Sequence, residues 1–177
     1  MSAGEATAKD KQKKNALQIF HINVNCSDFE RSLAFYKLIG FEEILDFSAA
    51  EGGRPRTFGE VGLGPLFRLP PDCDGRAKFL MLGDDQRATR LDLIEWKNPR
   101  PDPPPQRTLA HLGVARICLK VKDCADLHVK LKAGGYDVYS PPTLIDLGGT
   151  QEYVFCCEDP DGVVIEFMQF VKPERHK

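Results

Sequence analysis

Four ionisable residues recur at matched places in two similar stretches of this chain: His21 and Arg116 each open a stretch, and Glu95 and Glu166 each close one. A neutral imidazole and two carboxylates carry lone pairs suited to a first-row divalent metal. A guanidinium stays protonated and has none to give. Two outcomes compete for Arg116. It turns aside and leaves His21, Glu95 and Glu166 as a three-ligand metal site with open positions for a substrate, or it takes the centre itself, pairs with both glutamates and replaces the cation. Charge counting favours the second, because two carboxylates, one guanidinium and a protonatable histidine come close to neutrality without a metal.

Strand alternation sets His21, Asn23 and Asn25 on one face of the first strand and Ile22, Val24 and Cys26 on the other. The second stretch sorts the same way, with Arg116, Cys118 and Lys120 against Ile117, Leu119 and Val121. The apolar faces must pack on helices, which leaves the polar faces to line a cavity. There Asn23, Asn25 and Lys120 are placed to hydrogen-bond a substrate, or equally to form a solvated rim. A lone histidine or glutamate in a strand is more often structural than functional. Glu95 and Glu166, however, sit at matched positions in apolar strands, where an unpaired carboxylate is costly. His111 reaches the face of Arg116 only through a bulge, and His128 and His176 read as surface residues on a helix and a tail.

The elements that must hold these residues form a repeat. His21-Ile-Asn-Val-Asn-Cys-Ser-Asp28 and Arg116-Ile-Cys-Leu-Lys-Val-Lys-Asp123 are both alternating strands that stop at an aspartate, and the same interval separates each from a glycine-aromatic pair, Gly40-Phe41 and Gly135-Tyr136. Asp28 and Asp123 are placed as N-caps. Phe29, Leu33 and Tyr36 recur at helical spacing after the first, and Cys124 to Ala133 forms a less apolar helix after the second. Strands follow at Phe41 to Phe47, Lys78 to Leu82 and Arg90 to Trp96, and in the second copy at Asp137 to Ser140, Glu152 to Cys157 and Val163 to Phe170. Glu158-Asp-Pro-Asp-Gly162 is a tight turn. The order is βαβββ, twice: an α+β fold with modules at residues 16–98 and 111–171, tails at 1–15 and 172–177, and a stiff Pro-rich linker at 99–110.

The first module is the longer, and its excess falls at about 48–76. This insertion holds Phe58, Val61, Leu63, Leu66, Phe67 and Leu69, too apolar for a plain disordered loop. A connection of this kind covers a site more often than it dangles, which makes Phe58 and Phe67 candidate substrate contacts. The acidic and basic residues, 26 and 24, are well mixed and give a net charge of -2, so no field of one sign recruits nucleic acid or membrane lipid. No run approaches the ~20 apolar residues of a membrane span, and no signal-peptide core opens the chain. Six cysteines without C-x-x-C spacing fit reduced thiols in a cytoplasmic protein.

The H-I-x-V-x-x-x-D opening with its S-L-A-F-Y helix and the D-P-D-G-x-x-I-E-F closing resemble the vicinal oxygen chelate superfamily of glyoxalases, bleomycin resistance proteins and dioxygenases, over roughly Leu17 to Val171. The resemblance implies a glyoxalase-like fold in which tandem modules form a cupped mixed sheet around a divalent metal ion. Its ligand positions carry over onto His21, Glu95, Arg116 and Glu166, of which Arg116 departs from the pattern. It implies a lyase, isomerase or epimerase that stabilises an enolate or oxyanion of a small, partly hydrophobic substrate, with the metal or Arg116 as electrophile and Glu95 or Glu166 as base. The alternative is a metal-free protein that sequesters a small, antibiotic-like molecule, as bleomycin resistance proteins do. Modules of this family pair within one chain or between chains, so a homodimer is also an expectation.

Overall fold

A computed structural model describes residues 16–47, 56–102, 109–110, 112–146 and 149–171. His111 and His176 lie outside the described residues. The first module runs β1 (His21–Asn25), α1 (Phe29–Leu38), β2 (Phe41–Asp46), α2 (Leu63–Phe67), β3 (Asp74–Leu82) and β4 (Arg90–Asn98). The second runs β5 (Ile117–Lys120), α3 (Cys124–Ala133), β6 (Thr143–Asp146), β7 (Gln151–Glu158) and β8 (Val164–Phe170). Each builds a four-stranded mixed sheet with the same order, β1-β4-β3-β2 and β5-β8-β7-β6. The opening strand of each lies parallel to the closing one, and the other pairs are antiparallel.

Both main helices start where a short carboxylate can take up a free amide. Asp28 accepts from the Arg31 N–H at 3.0 Å, and Asp123 from the Asp126 N–H at 3.0 Å. From those caps α1 buries Phe29, Leu33, Phe35 and Tyr36, and α3 buries Cys124, Leu127 and Leu131. These side chains meet Val24, Cys26, Leu91 and Leu93 of the first sheet and Phe155, Cys157, Ile165 and Phe167 of the second in one continuous apolar cluster. Removal of this surface from water is the main driving force for the modules to pack. The apolar face of each opening strand is therefore consumed. The polar face, here called the outer face, is left turned away from α1 and α3.

Two strands differ from the sequence expectation: β3 begins at Asp74 rather than Lys78, and β6 lies later than expected. Asp137 to Ser140 contributes a single bridge, Val138 to Cys157, and the strand proper begins after Pro141-Pro142. Prolines have no N–H for a ladder, so pairing is postponed until Thr143. In the described part of the insertion, from residue 56 on, Gly59 approaches the Pro71 carbonyl so closely that a Cβ there would lie 2.1 Å from its oxygen. Thr57 and Glu60 cap each other, Thr57 N–H donating to the Glu60 carboxylate at 2.9 Å and Glu60 N–H to the Thr57 hydroxyl at 3.2 Å.

The polar join between modules is the turn that precedes β8. Asp159 is buried and accepts from the N–H groups of Asp161 and Val163 at 2.9 and 2.8 Å, which close the turn, and from the Tyr36 hydroxyl of α1 at 2.8 Å. Asp161 accepts from the Ser27 N–H and the Arg31 guanidinium, each at 3.0 Å. Burial raises the pKa of Asp159, and the hydrogen bonds from Val163, Tyr36 and Asp161 oppose that rise. Replacing Tyr36 with Phe removes one of these donors from a buried carboxylate and is expected to cost about 1–3 kcal/mol in urea unfolding at pH 7. Because the lost bond favoured the charged form, the deficit should shrink as pH falls and Asp159 protonates. An equal deficit at acid and neutral pH would contradict this assignment.

Candidate functional site

Pairing register decides which of the matched residues share a face. In the first sheet His21 lies opposite Arg90 and Asn23 opposite Asp92, with Phe79 on the other flank of Asp92. In the second sheet Cys118 and Cys156 flank Glu166. With His21 and Arg116 taken as equivalent, Asn23 matches Cys118, and the carboxylates beside them are Asp92 and Glu166. The structural counterpart of Glu166 is therefore Asp92, three residues before the Glu95 that sequence similarity nominates.

Glu95 turns the other way. It lies opposite Arg76, whose guanidinium carbon stands 4.1 Å from the Phe29 ring centroid of α1 and which also binds Glu30. Its charge contributes to the raised pKa of the buried Cys26 thiol, on the same side. His21 and Glu95 thus occupy opposite faces of the first sheet. A signal for this existed in the sequence: Arg90-Leu-Asp-Leu93 alternates polar and apolar, and Leu91 and Leu93 are both buried, so Asp92 had to face outward.

Each outer face then carries one base on the opening strand beside one carboxylate on the closing strand. Arg116 Nε donates to the Glu166 carboxylate, which is 11% exposed against 45% for the guanidinium. This hydrogen bond raises the already high pKa of Arg116, so the group is a permanent cation. In the first module His21 Nε2 stands 4.0 Å from Asp92 Oδ2. Asp92 is mostly buried, and its Oδ1 has no hydrogen-bond partner among the described residues. Burial raises its pKa, against the opposing effects of His21 and Asn23. Cys118 and Cys156 also have raised pKa values, first through burial and then through the charge of Glu166, so both stay thiols.

The remaining candidates find local partners. Asn25 Oδ1 accepts from Trp96 Nε1 at 2.9 Å, Asn23 Nδ2 donates to the Asp92 carbonyl at 3.1 Å, and Lys120 Nζ lies 5.0 Å from the Phe170 ring centroid. Phe58 meets Trp96 edge-on, with centroids 5.3 Å apart, while Phe67 on α2 is half exposed. His128 is half-buried, its ring edge against Phe155, rather than a plain surface residue. What sequence reasoning missed is an aromatic group on the first outer face: Phe79 contacts Phe20, Phe47 and His21, with centroids 6.0, 4.8 and 5.5 Å away.

A divalent ion does not fit the donor set as arranged. Glu166 Oε2 receives a guanidinium N–H, and Glu95 lies on the face of its sheet opposite His21. Among the described residues no three His, Cys, Asp or Glu side chains gather closely enough to hold an ion.

The raised pKa of Asp92 has a sign that stability measurements can read. A carboxyl whose folded pKa exceeds its unfolded value makes the folded state bind more protons, so stability falls as pH rises from the ordinary aspartate value near 3.8 through the raised one. Asp92→Asn cannot ionise and should melt at or above the wild-type temperature at pH 7. That advantage should vanish by about pH 4, where the unfolded carboxyl also protonates. A variant that melts lower at pH 7 but not at pH 4 would show instead that His21 holds the carboxylate charged.

Comparison with known proteins agrees with this architecture. The model of the Glyoxalase/Bleomycin resistance protein/Dioxygenase superfamily matches residues 18–167. No curated protein sequence matches the chain. Among solved structures, a glyoxalase family protein from Bacillus cereus superposes with a TM-score of 0.70 at 14% identity, covering 91% of this chain and 99% of its own. The trypanothione-dependent glyoxalase I of Leishmania major gives 0.57 at 17% identity, covering 87% of each chain. A glyoxalase family protein from Enterococcus faecalis gives 0.55 at 20%, covering 85% and 96%. Identities this low speak for the fold alone; the family match, two sheets of one strand order and a repeated βαβββ module together place this chain in the Glyoxalase/Bleomycin resistance protein/Dioxygenase superfamily.

Proposed function

We propose that this chain binds a small, partly hydrophobic molecule on its outer faces without a divalent ion, with Arg116 as the cationic element. The observation that carries the reading is the Arg116 Nε donating to Glu166 at a position where the family resemblance implies a metal ligand. Arginine has five N–H donors, so its remaining donors are available to a ligand carboxylate, enolate or carbonyl oxygen. Glu166, already paired, serves to hold the guanidinium rather than to accept a proton. The aromatic group of Phe20, Phe47 and Phe79 supplies apolar surface on the first module.

One observation favours turnover over sequestration. Asp92 is a carboxylate with a raised pKa, one oxygen without a partner and a histidine beside it. Those are the attributes of a general base for enolisation. Under the lyase, isomerase or epimerase reading, Asp92 takes the proton that the sequence assigned to Glu95 or Glu166, and Arg116 stabilises the oxyanion.

Metal analysis tests the main reading. Protein purified without chelator should carry substoichiometric divalent metal, and Arg116→His, which restores a lone pair at that position, should gain it. Stoichiometric metal in the unaltered chain would overturn the proposal. The two forms of the reading separate on an enolisable ligand in deuterated water. Asp92→Asn should abolish deuterium incorporation while leaving binding within about threefold if the protein is an enzyme of this kind. A protein that only sequesters its ligand incorporates none to begin with.

A further inference from the structure

A second site lies in the part of the first module that has no counterpart in the second. Residues 56–58 of the insertion, the end of β2 and the start of β3 line an open cavity of about 280 Å³, with Phe47 and Phe58 as its rings and, among the described residues, Arg56, Arg76, Lys97 and one carboxylate, Asp74, at its margin. Among the described lining residues three cations stand against one anion, in a chain whose net charge is -2. Arg76 is already engaged by Glu30 and by the Phe29 ring. Among the described residues Arg56 gives one N–H, to the Glu60 carbonyl, and both Arg56 and Lys97 are exposed.

Both ring walls have partners of their own: Phe47 stands edge-on to Phe79 at 4.8 Å and Phe58 edge-on to Trp96 at 5.3 Å. The insertion is seated on backbone: a Cβ on Gly64 would lie 2.6 Å from the Pro70 carbonyl oxygen, and one on Gly75 would lie 2.6 Å from that of Glu95 and 3.1 Å from the Phe58 ring. A preformed cavity loses little entropy on binding. Its volume falls just below the range of drug-sized pockets, which limits the occupant to about one ring with its substituent.

We propose that this cavity binds a small planar molecule bearing an oxyanion, with Arg56 and Lys97 as charge partners and Phe47 and Phe58 against its flat body. The site is separate from the Arg116–Glu166 pair, and the proposal stands whether or not that pair binds a ligand.

Trp96 is the only tryptophan in the chain and touches the Phe58 wall, so its fluorescence reports occupancy. The full-length protein is titrated with phenyl phosphate, benzoate, inorganic phosphate and benzyl alcohol, with calorimetry as a second readout. At least one aromatic anion should saturate, about tenfold or more tighter than benzyl alcohol or inorganic phosphate, and should weaken with added salt. The double variant Arg56→Gln/Lys97→Gln should bind it about tenfold or more weakly, while Asp74→Asn should bind it about as well or better. Arg116→Gln should leave its affinity unchanged. Arg56 and Lys97 lie on the surface, and an unaltered melting temperature shows that the double variant is folded. The proposal is overturned if neither aromatic anion saturates, if inorganic phosphate or benzyl alcohol binds as tightly, if the double variant retains wild-type affinity, or if Arg116→Gln alone abolishes binding.

Discussion

The contact on which the fold turns is the hydrogen bond from the Tyr36 hydroxyl to the buried carboxylate of Asp159. Each module packs one main helix, α1 or α3, on the apolar face of its own sheet. The two become one cluster only when α1 lies against the second module, with Phe35 and Tyr136 edge to face and centroids 4.9 Å apart. That packing is undirected, since apolar surface has no angular preference. The Asp159-Pro-Asp-Gly162 turn supplies the direction: one carboxylate reaches into the join and the other grips the start of α1 through Ser27 and Arg31. A turn that closes a hairpin in its own module thereby sets the orientation of the other.

Features governed by neighbouring residues were legible from the sequence. The caps at Asp28 and Asp123, the two helices, the tight turn and the repeated strand order all depend on a few adjacent side chains or on alternation. The site was less so. Ile94-Glu95-Trp96 resembles Ile165-Glu166-Phe167, but resemblance along the chain does not say which residue pairs across the sheet. Side-chain direction reverses with every residue, and the ladder between β1 and β4 puts Asp92, not Glu95, beside Asn23. The displacement of β6 past Pro141-Pro142 had a local cause, the missing N–H groups, whereas the cavity under the insertion is built from segments distant in sequence.

Duplication followed by divergence explains why the two outer faces share geometry but not chemistry. Both place a basic group on the opening strand beside a carboxylate on the closing one. In the second module that base is a guanidinium, charged at every pH the protein meets, and its partner is held by it. In the first it is an imidazole, beside a carboxylate that burial makes easier to protonate. A permanent cation suits the fixed recognition of an oxyanion.

The insertion extends the same asymmetry. It belongs to the module of His21 and Asp92, and its described part approaches backbone at glycines, where a side chain would strike proline or β4 backbone. Phe58 packs on Trp96, Trp96 donates to Asn25, and Asn25 stands on the same strand and face as His21. This run of contacts ties the insertion to the strand that carries His21, whereas Arg116 is held by Glu166, a partner from its own sheet.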